Sequence, residues 1–189
     1  AFINKLDRAG ANALEVVSQL REKLGHNAVP MQLQIGREDD FQGVIDLIKM
    51  KAFYFDGKDG EHIREEEIPE DMRDEAEDYR AQMYDAYSMF SDEMMELMLE
   101  EKEIPDELLH KVIRESVIAR EATPVFMGSA FKNKGVQLLL DAVSAYLPSP
   151  LDRQYQAIDN VENSDGTHEQ KMIDIVPDPS KPLVAMAFK

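Results

Sequence analysis

Cysteine and tryptophan are both missing from these 189 residues. Without cysteine there are no disulfides, thiolate metal sites or cysteine nucleophiles, a composition compatible with a cytoplasmic home. No stretch approaches the roughly 18 apolar residues of a membrane span, so no membrane partner is expected. Basic residues are scarce: 21 Lys and Arg stand against 38 Asp and Glu, a formal net charge of −17. A field of that sign repels phosphate backbones, so little direct nucleic-acid contact is expected. Also absent is Gly-x-x-x-x-Gly-Lys-Ser/Thr, the loop that cradles nucleotide phosphates. No catalytic residue is assigned, and the chain alone is expected to be inactive as an enzyme. No metal site is expected either. His26, His62, His110 and His168 have no ligand spacing and read as surface residues. Asp56 to Gly60 lacks the alternating ligands and closing Glu of a calcium loop, and reads as a hairpin turn. The chain opens on Ala1-Phe2-Ile3, apolar and without Met, as a fragment starting inside a strand would.

What is present is a globular composition, 43% apolar and 31% charged, enough for one domain and a half or two small ones. The charge is uneven. Glu61 to Glu103 holds seventeen acidic and four basic residues, and so most of the net charge. Two compositions in one chain point to two modules.

Ala1 to Ile3 reads as the end of a buried strand. Ala13, Leu14, Val16, Val17, Leu20 and Leu24 fall at helical spacing, with Gly25 as a stop. Met31, Leu33 and Ile35 alternate with Gln32 and Gln34 as in a half-buried strand. Val44 to Ile48 and Ala52 to Phe55 are further strands, Asp56 to Gly60 a turn and His62 to Ile68 a returning strand. Pro69 suits a helix start. Met72, Ala76, Tyr79, Met83, Ala86 and Phe90 form an apolar stripe along that helix. Asp71, Asp74, Glu75, Asp78 and Asp85 form an acidic stripe on another face. Short helices follow from Asp92 and from Pro105. Met94, Met95 and Met98 read as helix core, with an adaptable docking groove as the less favoured alternative. Pro124 to Met127 is a buried strand, Gly128 to Gly135 a loop, and Val136 to Leu147 a helix. Asn160 to Gln170 reads as a mobile polar loop, and Leu183 to Phe188 as the first strand of a further domain.

Asn4-Lys5-Leu6-Asp7 follows a strand and precedes a helix. It matches the Asn-Lys-x-Asp pattern of guanine-nucleotide-binding proteins, for a chemical reason. Guanine presents N1–H and its 2-amino group side by side, and an ionised Asp7 accepts from both. Adenine lacks those donors and leaves the carboxylate unpaired. Asn4 donates toward N7 and braces neighbouring loops; the Lys5 stem lies along the base plane. The alternative is a polar strand-to-helix turn with no ligand. Gly128-Ser129-Ala130-Phe131-Lys132 adds a second element at a second strand end. There the Ala130 N–H reaches the guanine 6-oxygen and Ser129 holds Asp7. Both elements fall where open α/β sheets bind ligands.

Phe2 to Arg8, Phe41-Gln42-Gly43-Val44-Ile45-Asp46-Leu47, Gly128 to Gln137 and Tyr146-Leu147-Pro148-Ser149-Pro150 together resemble bacterial translation elongation factor G. The resemblance implies an α/β fold, an incomplete P-loop GTPase-type domain carrying an α+β inserted subdomain. It places GTPase-domain parts at 1–29 and 123–150, the acidic insert at 30–122, and a linker entering a β-barrel domain at 151–189. Gln34 departs from the family, which usually has Pro there. The resemblance implies guanine binding by Asn4, Lys5, Asp7, Ser129, Ala130 and Phe131. It implies GTP or GDP as ligand, with Mg²⁺ held by parts absent from this chain. It further implies a cytoplasmic parent that couples GTP hydrolysis to tRNA and mRNA movement on the ribosome. Its inserted subdomain would meet the C-terminal domain of the ribosomal stalk protein through Asp71, Asp74, Glu75, Asp78 and Asp85. Two alternatives stand beside this: a stand-alone acidic protein-interaction module, and a sibling translational GTPase of ribosome-protection or release type.

Overall fold

The computed structural model describes residues 1–152, 155–162, 167–181 and 183–185. The backbone divides into two units, Ala1–Leu147 and Pro148–Lys189.

The first unit contains two sheets. Strands β1 (Phe2–Ile3), β2 (Ala28–Pro30) and β7 (Thr123–Met127) form a parallel sheet in the order β1-β7-β2. Helix α1 (Ala13–Leu24) links β1 to β2. The Asn12 side chain accepts from the Glu15 N–H to start α1, and Gly25 ends it at φ 66°. The Gly25 and His26 amides bond to the carbonyls of Arg21 and Leu20, a left-handed cap that glycine adopts without a Cβ penalty.

At Met31 the chain crosses directly into an antiparallel sheet, β3 (Gln32–Ile35), β4 (Gly43–Asp46), β5 (Lys51–Asp56) and β6 (His62–Glu66), in sequential order. Gln32 was expected to face outward; it is fully buried. Its Oε1 accepts from the Met127 N–H at 3.1 Å, so the side chain takes up an amide of β7 where the two sheets meet. Met31, Leu33 and Ile35 are buried as expected.

Helices α2 (Arg73–Ser88), α3 (Asp92–Leu99) and α4 (Asp106–Ala119) follow. The start of α2 lies later than Pro69 suggested. Glu70–Met72 is a 3₁₀ turn, closed by the Met72 N–H on the Pro69 carbonyl, and no side chain caps α2. Ala76, Met83 and Tyr87 are its buried face, Tyr87 being a core residue the apolar stripe did not include. Met83, Tyr87, Leu109 and Ile113 are almost fully enclosed, and burying apolar side chains of such size contributes ~1.5–3 kcal/mol each. Of the three methionines expected in the helix core, Met94 is buried and Met98 packs partly against the core, but Met95 is exposed, because it lies one residue round the helix from the buried Met94 face. Helix α5 (Val136–Tyr146) packs on α4, with the Tyr146 hydroxyl 2.7 Å from His110 Nδ1.

The second unit holds one antiparallel ribbon, β8 (Tyr155–Glu162) paired with β9 (His168–Ile175). This corrects the loop expected over Asn160 to Gln170, whose two ends are strand. The ribbon is solvated on both faces, so its side chains carry no apolar alternation to mark it. Leu183–Ala185 is not strand, and the rest of the strand expected there lies outside the described residues.

Candidate functional site

Parallel pairing of Phe2 with Phe126 and Ile3 with Met127 brings the carboxyl ends of β1 and β7 side by side. The ladder runs on past the strands. The Gly128 N–H donates to the Ile3 carbonyl at 3.0 Å and the Leu6 N–H to the Gly128 carbonyl at 3.1 Å. A Cβ on Gly128 would stand 2.1 Å from the Lys134 carbonyl oxygen, so this close approach needs glycine.

The loop after β7 folds back on itself: the Ser129 and Lys134 amides donate to each other's carbonyls at 2.9 and 3.0 Å. Asn4 bridges the two loops. Its Oδ1 accepts from the Lys5 N–H at 2.7 Å and the Ala130 N–H at 2.9 Å. Two backbone donors on one atom fix the orientation of the carboxamide. Its NH₂ therefore points away from both amides, available to an acceptor such as guanine N7. Lys5 holds φ 67°, in the left-handed region, where a non-glycine residue stores strain.

Asp7 is only 7% exposed. The Ser129 hydroxyl donates to it, and this bond is the main reason its carboxyl is held below the ordinary range of about 3.9. Desolvation opposes the shift, while its own backbone amide, Lys132 and Arg8 support it. Ser129 is wholly buried, and its Oγ also accepts from the Lys132 N–H at 3.3 Å. Asp7 is thus kept ionised and acceptor-only. We expect Ser129→Ala to raise the Asp7 pKa. With the native hydroxyl, the carboxylate adds stability above the unfolded-state pKa, and that contribution fades as pH falls through the lower folded value. Carbon-detected NMR titration of the Asp7 carboxyl checks both statements; an unmoved Asp7 pKa in Ser129→Ala would contradict them.

Asn4, Asp7, Ser129 and Ala130 therefore converge. Lys5 and Phe131 lie exposed in the same two loops, Phe131 at 87%. The Ala130 N–H, expected to face the ligand, is occupied by Asn4. Asp71, Asp74, Glu75, Asp78 and Asp85 are all exposed, away from the buried face of α2, with Asp71 in the preceding 3₁₀ turn. Asp74, Asp78 and Asp85 fall within about 40° around the helix at ~100° per residue. Among the described residues no ion pair engages these five, and no group of His, Asp and Glu side chains suits a metal ion. No helix among them is long and apolar enough to cross a membrane.

Two loops at the carboxyl ends of adjacent parallel strands, one carrying Asn-Lys-x-Asp and the other Ser-Ala, define an α/β domain of the GTP-binding class. The family model for the elongation factor Tu GTP binding domain matches residues 1–149, and the chain belongs to that family. Within it, the similarity is to elongation factor G. The chain is 53% identical over its full length to elongation factor G of Rhodopirellula baltica, and 52% identical to elongation factor G 1 of Borreliella afzelii. It spans 26% of the length of each of those relatives. The crystal structure of ttk003000868 from Thermus thermophilus matches 83% of this chain and 23% of its own, with a TM-score of 0.71 at 27% identity. The elongation factor G resemblance and the α/β fold class read from the sequence are both borne out.

Proposed function

We propose that this chain is the guanine-reading part of a ribosomal translocation GTPase, together with an acidic subdomain that docks on the ribosomal stalk. Residues 1–29 and 123–150 are its GTPase-domain parts, 30–122 the insert, and 151–189 the passage to a further domain. The observation that carries the reading is Asp7, a carboxylate only 7% exposed at a strand end, beside the Asn4 side chain that bridges the two loops. A fixed carboxylate in that place complements the paired donors of guanine and rejects adenine. The residues fit the base of GTP or GDP. Phosphates and Mg²⁺ would be held by segments this chain does not contain. The protein acts in the cytoplasm with the ribosome as partner, and this portion makes little contact with nucleic acid.

Most affinity for a nucleotide comes from phosphate and metal contacts. The 189 residues alone should therefore bind GDP weakly. A full-length elongation factor G in which these 189 residues replace the segment they match should bind it tightly and prefer it to ADP. Calorimetry on both checks this. Micromolar GDP binding by the 189 residues alone, or no preference for GDP over ADP in the full-length factor, would contradict the reading.

A further inference from the structure

The segment from Gln34, near the end of β3, to Phe41, just before β4, touches both loops of the base site. On one side, Glu38 Oε1 accepts from the Gly10 N–H at 2.6 Å, three residues beyond Asp7. Gln34 Oε1 accepts from the Ala13 N–H at 3.1 Å, at the first turn of α1. On the other side, the Phe41 carbonyl accepts from Lys134 Nζ at 2.9 Å, and the Lys134 ammonium sits 5.9 Å from the Phe41 ring centroid. Lys134 is the residue whose backbone closes the Ser129 turn. The segment itself is wound tightly. Gly36 takes φ 76°, with the Asp40 carbonyl oxygen where a Cβ would go, and Glu38 takes φ 53°. Strain at a non-glycine residue persists only where the surroundings fix it. Phe41 is buried in one apolar cluster with Ile3, Leu6, Val125 and Met127.

We infer that Gln34 to Phe41 is a brace that sets the spacing between the Asp7 loop and the Ser129-Ala130 loop, with Glu38 and Lys134 as its positioning residues. This inference rests on the guanine-reading proposal. Neither side chain needs to touch the nucleotide. Their effect is on how well Asp7 is aimed at N1–H and the 2-amino group. Base discrimination should therefore suffer more than overall nucleotide affinity. Inosine lacks the 2-amino group, so the GDP-to-IDP affinity ratio reports the aim of Asp7, while phosphate contacts are common to both ligands and cancel.

The test uses the full-length factor described above, with GDP and IDP dissociation constants measured by stopped-flow fluorescence. Glu38→Ala should cut the GDP-to-IDP ratio by about 3- to 10-fold, the worth of one displaced hydrogen bond. Glu38→Gln keeps an acceptor for the Gly10 N–H and should restore it. Lys134→Met keeps the stem over Phe41 but removes the ammonium, and should lower the ratio in the same direction. Thermal unfolding midpoints identify any loss due to misfolding. If the unsubstituted factor shows no preference for GDP over IDP, the guanine-reading proposal fails. If it does prefer GDP and both Glu38→Ala and Lys134→Met leave the ratio unchanged, the brace is overturned and the proposal stands. A ratio lowered equally in Glu38→Ala and Glu38→Gln would also overturn the hydrogen-bond role of Glu38.

Discussion

Asp7→Asn is expected to turn the full-length factor from a guanine reader into a xanthine reader. The Ser129 hydroxyl already donates to Asp7, so the substituted carboxamide will keep its oxygen on Ser129. Its NH₂ then faces the base. Against guanine N1–H and the 2-amino group this sets donor against donor, in a place 7% exposed in the native chain. Xanthine carries a carbonyl at position 2 and accepts from that NH₂. Each buried mismatch costs about 1–3 kcal/mol. Losing the guanine match and gaining the xanthine match move the preference in the same direction. The GTP-to-XTP preference should therefore change by on the order of a hundredfold or more, at roughly 1.4 kcal/mol per tenfold. Steady-state hydrolysis on ribosomes with each nucleotide checks it. Retained preference for GTP would mean that Asp7 does not read the base.

Simultaneous Asp74→Lys, Glu75→Lys and Asp78→Lys should slow stalk-stimulated GTP hydrolysis by about tenfold at low salt. The motive is the placement of the charges. All three are exposed on α2, Asp74 and Asp78 on the side away from buried Ala76, Met83 and Tyr87 and Glu75 on the flank between. An acidic stripe on a helix anchored by its opposite face presents a field of fixed direction. Such a field steers a basic partner and acts chiefly on the association rate, by factors of about 10 or more. The effect should shrink as salt rises, because exposed charges are screened within about 10 Å at 0.1 M. Guanine-nucleotide affinity should not change, since α2 contributes no residue to the base site. Circular dichroism will show whether the helix survives. An unchanged stimulated rate at low salt would leave the stripe as a solvated face.

What the sequence made legible followed from chemistry that admits few substitutes. An Asn-Lys-x-Asp run at a strand end and a glycine ending α1 each leave a mark at one position. Helical and strand periodicity located most elements of the first unit for the same reason. The remainder depends on contacts distant in sequence. Nothing local says that Gln32 is buried, because its partner is an amide 95 residues away. Glu38 and Lys134 look like ordinary surface charges in a highly charged chain; their roles depend on Gly10 and Phe41, brought near only by folding. The Tyr146–His110 contact joins α5 to α4 across 36 residues. The β8–β9 ribbon leaves no apolar alternation in the sequence because both its faces are wet.

The arrangement around Ala130 gives the most direct test of the guanine site. Without nucleotide, the Ala130 N–H donates to Asn4 Oδ1. That amide is also the donor assigned to guanine O6, and the Asn4 NH₂ is assigned to N7. A crystal structure of the full-length factor with GDP will show where these atoms go. The account predicts both Asp7 carboxylate oxygens within about 3 Å of guanine N1 and the 2-amino nitrogen, and the Ala130 nitrogen within about 3 Å of O6. A guanine ring bound elsewhere, or bound here with Asp7 facing solvent, would contradict it.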